Sequence, residues 1–114
     1  MHTVKLRARY RTAPGNHVRL TVRFGDAQLG TSRVMLDEEL LLVGDVEKLD
    51  LGDGSDLRGR HLSVVSTISD VNAESDRLLA SYELSGGLEP LHLSLERHAA
   101  DEAAERFVVD VSLM

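Results

Sequence analysis

Carboxylates grouped in loops are the residues of this chain best suited to chemistry. Asp50, Asp53 and Asp56 fall within Asp-Leu-Gly-Asp-Gly-Ser-Asp, with Asp45 just upstream. Asp70 and Asp76 bracket a second acidic stretch, Asp-Val-Asn-Ala-Glu-Ser-Asp. Calcium takes roughly six to eight oxygen ligands, and loops meeting at one end of a β-sandwich could supply them from Asp50, Asp53, Asp56, Asp70 and Asp76. Neither stretch has the acid spacing of an EF-hand. Gly52-Asp53-Gly54-Ser55-Asp56 has the Gly-x-Gly-x-Asp of calcium-binding β-helix repeats. It occurs once, carries Arg58 where the repeat needs an apolar residue, and a single copy cannot stack. Asp and Gly also make turns and keep strand ends soluble, and that ordinary use outweighs calcium.

Other chemistries find no footing. There is no cysteine, which excludes disulfides, a thiolate nucleophile and thiolate-bound zinc. Gly-x-Ser-x-Gly, His-Glu-x-x-His, the phosphate-binding loop and the dinucleotide fingerprint are all missing from the sequence. The five histidines, His2, His17, His61, His92 and His98, have no metal-ligand spacing. His61 and His92 would approach only if their strands paired, and an outward histidine on a sheet is ordinarily a plain surface residue. No pair of carboxylates is set around a cleft for acid–base work. A non-enzymatic role is expected, with no cofactor unless the aspartate loops take calcium.

Charge carries more information. The net charge is −6, yet residues 1–34 hold seven basic residues and one acid, while residues 35–114 hold six basic residues and eighteen acids. Lys5, Arg7, Arg9 and Arg11 alternate with Val4, Leu6, Ala8 and Tyr10; Arg19 and Arg23 alternate with Leu20, Val22 and Phe24. On two neighbouring strands these cations would share one face, and like charges facing each other across a sheet are destabilising. Glu83, Glu96 or Asp110 on adjacent strands could neutralise them, an acidic surface on another copy or a partner protein could meet them, or an anionic polymer or lipid could bind. The overall negative charge and the lack of interleaved aromatics weigh against nucleic acid and membrane. Arginine suits bidentate contacts to carboxylate or phosphate alike.

The elements that must position these residues are strands. His61–Asp70 places Leu62, Val64 and Ile68 on one face and Ser63, Thr67 and Ser69 on the other, with Val65 interrupting the polar side as expected of a central strand. Leu78–Ser85 alternates in the same way, and the two runs read as a hairpin with a longer loop. His2–Arg11 and His17–Phe24, joined across Pro14-Gly15-Asn16, read as a second hairpin. Gln28–Leu36 is a strand broken near Gly30. Asp37–Val43 is either a capped helical turn or a turn and a buried strand. Val46–Leu51 is a short strand, Gly52–Asp56 a loop, Leu91–Glu96 a strand, His98–Glu105 a helical turn or polar loop, and Phe107–Leu113 a terminal strand. Seven or eight short strands with regular turn signals predict one all-β domain over residues 1–114, an antiparallel β-sandwich, with a closed barrel as runner-up.

Composition fits that fold. Apolar residues make up 42% of the 114-residue chain, charged residues 28% and aromatics only 4%, so the core must be built from Leu and Val. Scarce aromatics weaken a sugar-binding or base-stacking role. The N-terminal run has no apolar core of a leader and no segment has the length of a membrane span, so a soluble, cytoplasmic protein is expected. The expected function is a protein-interaction module that self-associates or binds a protein partner through a sheet face or edge. The alternatives are a calcium-dependent ligand- or membrane-binding module in the style of C2-like sandwiches, and capture of an anionic partner by the basic N-terminal hairpin.

Overall fold

Alternation of aliphatic and polar residues gives each long strand one face for a core and one for water, and two sheets put those apolar faces together. The structure, a computed structural model, describes residues 2–25, 28–70, 77–98 and 104–114. Its strands are β1 (His2–Tyr10), β2 (His17–Phe24), β3 (Gln28–Leu36), β4 (Glu39–Gly44), β5 (Leu49–Asp53), β6 (His61–Asp70), β7 (Arg77–Ser85), β8 (Leu91–His98) and β9 (Ala104–Leu113), with one helical turn, α1 (Gly54–Leu57). The five-stranded sheet has the order β1-β9-β6-β3-β4 and the four-stranded sheet β5-β2-β7-β8. Both sheets are open, so the sandwich holds and the closed barrel does not. Nine strands replace the seven or eight expected. All pairs are antiparallel except β1 with β9, which run parallel.

Two expected hairpins are corrected. β1 and β2 lie in different sheets, as do β6 and β7. Alternation states which side of a strand is buried, not which sheet it joins, and both sheets bury their inner face. The six residues 11–16 can span about 20 Å when extended, ample for the roughly 10 Å between packed sheets. Hairpins occur instead at β3–β4 and β7–β8. Asp37 and Glu38 form the turn into β4, with Asp37 at a φ of 52°, which settles the ambiguous stretch as turn and strand. That strand is a partly exposed edge strand and not the buried one expected. His98 belongs to β8 and Ala104–Glu105 to β9, against the helical turn or loop expected there; residues 99–103 lie outside the described residues. Gly54–Leu57 is a helical turn capped by Asp53 rather than plain loop.

The central position of β6 is as expected. Leu62, Val64 and Ile68 meet Val34 and Leu36 of β3 and Phe107, Val109 and Val111 of β9 along one buried surface. Val18, Leu20, Leu78, Ala80, Tyr82 and Leu84 cover it from the other sheet. Gly30 does not break β3. A Cβ there would collide with the ring of Phe24, so glycine makes room for an aromatic from the opposite sheet. The buried Tyr82 hydroxyl donates to Ser66 Oγ at 2.9 Å, and Ser66 and Ser32 share a hydrogen bond of 2.8 Å. This chain of hydroxyls joins β7 to β6 and β3 through the core. Burial pushes the Tyr82 phenol up to about 12, opposed by its bond to Ser66.

At the end of β1, Tyr10 is buried and its hydroxyl accepts from the backbone N–H of Gly87 at 2.8 Å. Gly86 has a φ of 91° and its α-carbon abuts the carbonyl of His17, while Gly87 lies against the Tyr10 ring. Only glycines fit there. They fix the β7–β8 turn beside the C-terminal end of β1.

Candidate functional site

The parallel register of β1 and β9 decides where the N-terminal cations go. Lys5, Arg7 and Arg9 stand opposite Val108, Asp110 and Ser112, with their side chains exposed on the outer face of the five-stranded sheet. The ladders carry that face onward: Asp110 pairs with Ser63 and Ser63 with Met35, while Val108 pairs with Val65 and Val65 with Arg33. Thr3, Arg106, Thr67 and Thr31 form the next row. Among the described residues the outer face therefore carries five cations, Lys5, Arg7, Arg9, Arg33 and Arg106, and one carboxylate, Asp110. Short Ser and Thr side chains between them leave the guanidinium groups accessible.

None of these five cations has an ion-pair partner among the described residues. Three of the arginines placed elsewhere are matched: Arg19 reaches Asp50 at 4.0 Å, Arg60 reaches Asp37 at 2.8 Å and Arg77 reaches Glu96 at 2.7 Å. The outer face of the four-stranded sheet is balanced, with Arg19, Arg23 and Arg77 against Asp50, Glu83 and Glu96. Of the three acids expected to neutralise the cations, only Asp110 shares the five-stranded sheet. Glu83 lies 3.4 Å from His92 on the other one.

The six-residue basic face expected from sequence is thus divided. Lys5, Arg7 and Arg9 stay together. Arg19 and Arg23, on β2, point out from the opposite sheet, and Arg11 lies beyond the end of β1 in an open cleft. Arg33 and Arg106 join the site instead. Arg33 was legible from its alternation with the buried Val34, whereas Arg106 was hidden by reading the residues before it as a loop.

Asp50, Asp53 and Asp56 have structural partners or lie in the open, and residues 71–76 of the second aspartate stretch lie outside the described residues. Asp53 accepts from the Ser55 N–H at 2.9 Å, the Ser55 hydroxyl at 2.6 Å and the Gly15 N–H at 3.2 Å, which caps α1 and ties it to the β1–β2 connection. Asp50 takes His17 Nδ1 at 2.9 Å and the Gly52 N–H at 2.9 Å. These bonds hold both carboxyls below the usual carboxylate range, led for Asp50 by His17 and for Asp53 by the Ser55 hydroxyl. Asp56 is exposed in α1. Asp70 ends β6, whose other end, His61, is the one next to α1; the ten-residue strand puts about 30 Å between those ends. Asp76 lies outside the described residues. Among the described residues no three His, Asp or Glu side chains are grouped to hold a metal ion. His61 and His92 are on opposite outer faces, which corrects the possible pairing of the two.

Where β1 ends, a cleft of about 500 Å³ opens between the edges of the two sheets, lined by Arg9, Arg11, Leu88, Pro90, Leu91 and Met114 among others. It continues the basic face around the edge of the sandwich. No described helix is long and apolar enough to cross a membrane. Compared with known proteins, the chain matches no family model, no curated protein and no solved structure.

Proposed function

We propose that this chain is a non-enzymatic interaction module that binds an acidic protein surface through the outer face of its five-stranded sheet. The observation that carries the reading is the imbalance of that face: among the described residues, Lys5, Arg7, Arg9, Arg33 and Arg106 project from it against Asp110 alone. Unpaired cations on adjacent strands repel one another, and an acidic partner relieves that repulsion. Arginine predominates, which suits bidentate contacts to carboxylates as it does to phosphates. The net charge of −6, with no aromatics interleaved among the cations, turns the choice to carboxylates. Val65, Val108, Met35 and Val43 between and beside the cations supply the apolar contact that a protein interface also needs.

Binding to poly-L-glutamate, followed by fluorescence anisotropy at low and high salt, tests the reading. Replacing Lys5, Arg7 and Arg9 together by Glu should abolish binding, whereas replacing Arg19 and Arg23, on the other sheet, should leave it intact. Equal loss in both variants, or no binding by the unaltered protein, would overturn it. Tighter binding to single-stranded DNA or to anionic vesicles than to polyglutamate would reassign the face to those ligands.

A second reading, self-association, is favoured by β4. This edge strand carries four consecutive aliphatic residues, and Leu40 and Val43 are 47% and 63% exposed. Packing of these exposed side chains against those of a second copy, without strand pairing, would bury them about a two-fold axis. Light scattering after size exclusion should then give a dimer mass indifferent to salt and a monomer on Val43→Lys.

A further inference from the structure

The two flanks of the sandwich are finished differently. On the β4–β5 side the chain crosses from one sheet to the other; Val46 is buried there, its carbonyl accepts from the Val22 N–H, and the Lys48 N–H donates to Thr21 Oγ1. On the β1–β8 side the inward residues Val4, Leu6 and Ala8 of β1 and Leu91, Leu93 and Leu95 of β8 remain half-buried. The cleft beside Arg9 and Arg11 lies on this side.

The sheet edges differ as well. β4 and β5 are short and each shifts register against its neighbour, which spoils an edge as a template. β1 is the opposite: nine residues in unbroken register with β9, and paired with no other strand among the described residues. Its outward cations stand at every second residue, Lys5, Arg7 and Arg9, and its inward residues are aliphatic.

We propose that β1 accepts an added strand: an extended segment of a partner protein in which acidic residues alternate with aliphatic ones. This rests on the reading that the basic face binds an acidic partner, and it specifies how the partner is held. Backbone groups along the unpaired edge of β1 supply the ladder. Successive outward acids fall about 6.7 Å apart, opposite Lys5, Arg7 and Arg9, and the aliphatic side covers Leu6, Ala8, Leu91 and Leu93. A second copy of β1 cannot be the occupant, because its own three cations would face these three. The same charges that guard the edge against its own kind leave it open to an acidic strand.

A blocked, fluorophore-labelled eight-residue peptide alternating Glu and Val is the probe, compared with two versions N-methylated on alternate residues of either parity. Anisotropy measures binding, and amide hydrogen exchange by NMR locates it. One methylated version, blocking the edge that faces β1, should bind at least about tenfold more weakly. The parent peptide should slow exchange of the β1 amides that point away from β9 by about tenfold at saturation. Replacing Lys5, Arg7 and Arg9 by Glu, or by Gln should the reversal unfold the protein, should remove both effects. If all three peptides bind alike and β1 exchange is unchanged while the charge variants still lose binding, strand addition is wrong and the acidic-partner reading stands. If neither the peptide nor polyglutamate binds, both are wrong.

Discussion

Arg7 and Asp110 stand opposite each other across the parallel pair β1 and β9, and Asp110 is the sole carboxylate among the described outward residues of the five-stranded sheet. It partly offsets the potential of the five surrounding cations, so removing it should strengthen capture of an acidic ligand. Asp110→Asn is expected to tighten polyglutamate binding several-fold at low salt, with the gain shrinking as salt screens the face. Glu83→Gln, on the other sheet, should leave binding unchanged. Equal effects from the two substitutions would mean that net charge, rather than this face, governs binding.

The hydroxyl chain from Tyr82 through Ser66 to Ser32 makes a different prediction. Tyr82→Phe removes a donor and leaves the two serines paired, at a cost of about 1 kcal/mol. Ser66→Ala strips a partner from both Tyr82 and Ser32 inside the core, so it should cost more, about 2 kcal/mol. Urea unfolding of the two variants gives the order. A larger loss in the phenylalanine variant would show that the hydroxyls are not coupled in this way.

The same tyrosine sets an alkaline limit. Its unfolded phenol ionises near 10.0 and the buried one at about 12. The folded pKa is raised, so the contribution is complete below pH 10 and is lost as pH rises toward 12. Stability should fall across that window by roughly 2–3 kcal/mol, and Tyr82→Phe should flatten the fall.

On the acid side, Asp37, Asp50 and Asp53 are all held below the ordinary aspartate value of 3.8, Asp37 chiefly by Arg60 and the others by His17 and Ser55. Depressed carboxyls contribute stability above pH 3.8 that disappears as pH falls through their folded values. Asp37→Asn and Asp53→Asn should each shallow the acid limb of a melting-temperature profile. Calcium, by contrast, should leave the melting temperature where it is, since Asp50 and Asp53 are engaged by N–H and hydroxyl donors and Asp70 ends the far side of β6. A rise of several degrees in millimolar calcium would restore the metal reading.

How much of this was legible in the sequence depends on which physical question each residue answers. Leu62, Val64, Ile68, Leu78, Ala80 and Tyr82 announce buried strand faces, because burial is a property of one strand and its alternation records it. Partnership is a property of two strands, and nothing in Lys5-Arg7-Arg9 or Arg19-Arg23 says that β1 pairs with the last strand while β2 joins the other sheet. The basic site was accordingly half visible. Its charge and period were plain, but its true membership, with Arg33 and Arg106 in place of Arg19 and Arg23, required the register. The aspartates misled for the same reason: proximity in sequence put Asp50, Asp53 and Asp56 together, and only the direction of β6 separates them from Asp70.

Glu105 ends the stretch whose sequence suggests a helical turn or polar loop, yet it is 1% exposed and faces the interior, with Arg97 Nε 3.4 Å from its Oε1. Among the described residues neither Arg97 Nε nor Glu105 Oε2 has a hydrogen-bond partner, so this ion pair between the sheets is poorly satisfied there. Desolvation of the buried Glu105 carboxylate then offsets much of its attraction to the partly exposed Arg97, while removing Arg97 leaves the carboxylate stranded. Arg97→Met alone should destabilise the fold by about 3 kcal/mol or more. The double replacement Arg97→Met with Glu105→Leu should recover most of that loss in urea, because an apolar pair suits the buried position better than a poorly satisfied charged one. If the double variant is no better than Arg97→Met, the pair contributes more than its geometry allows, and Glu105 has a further requirement for its charge.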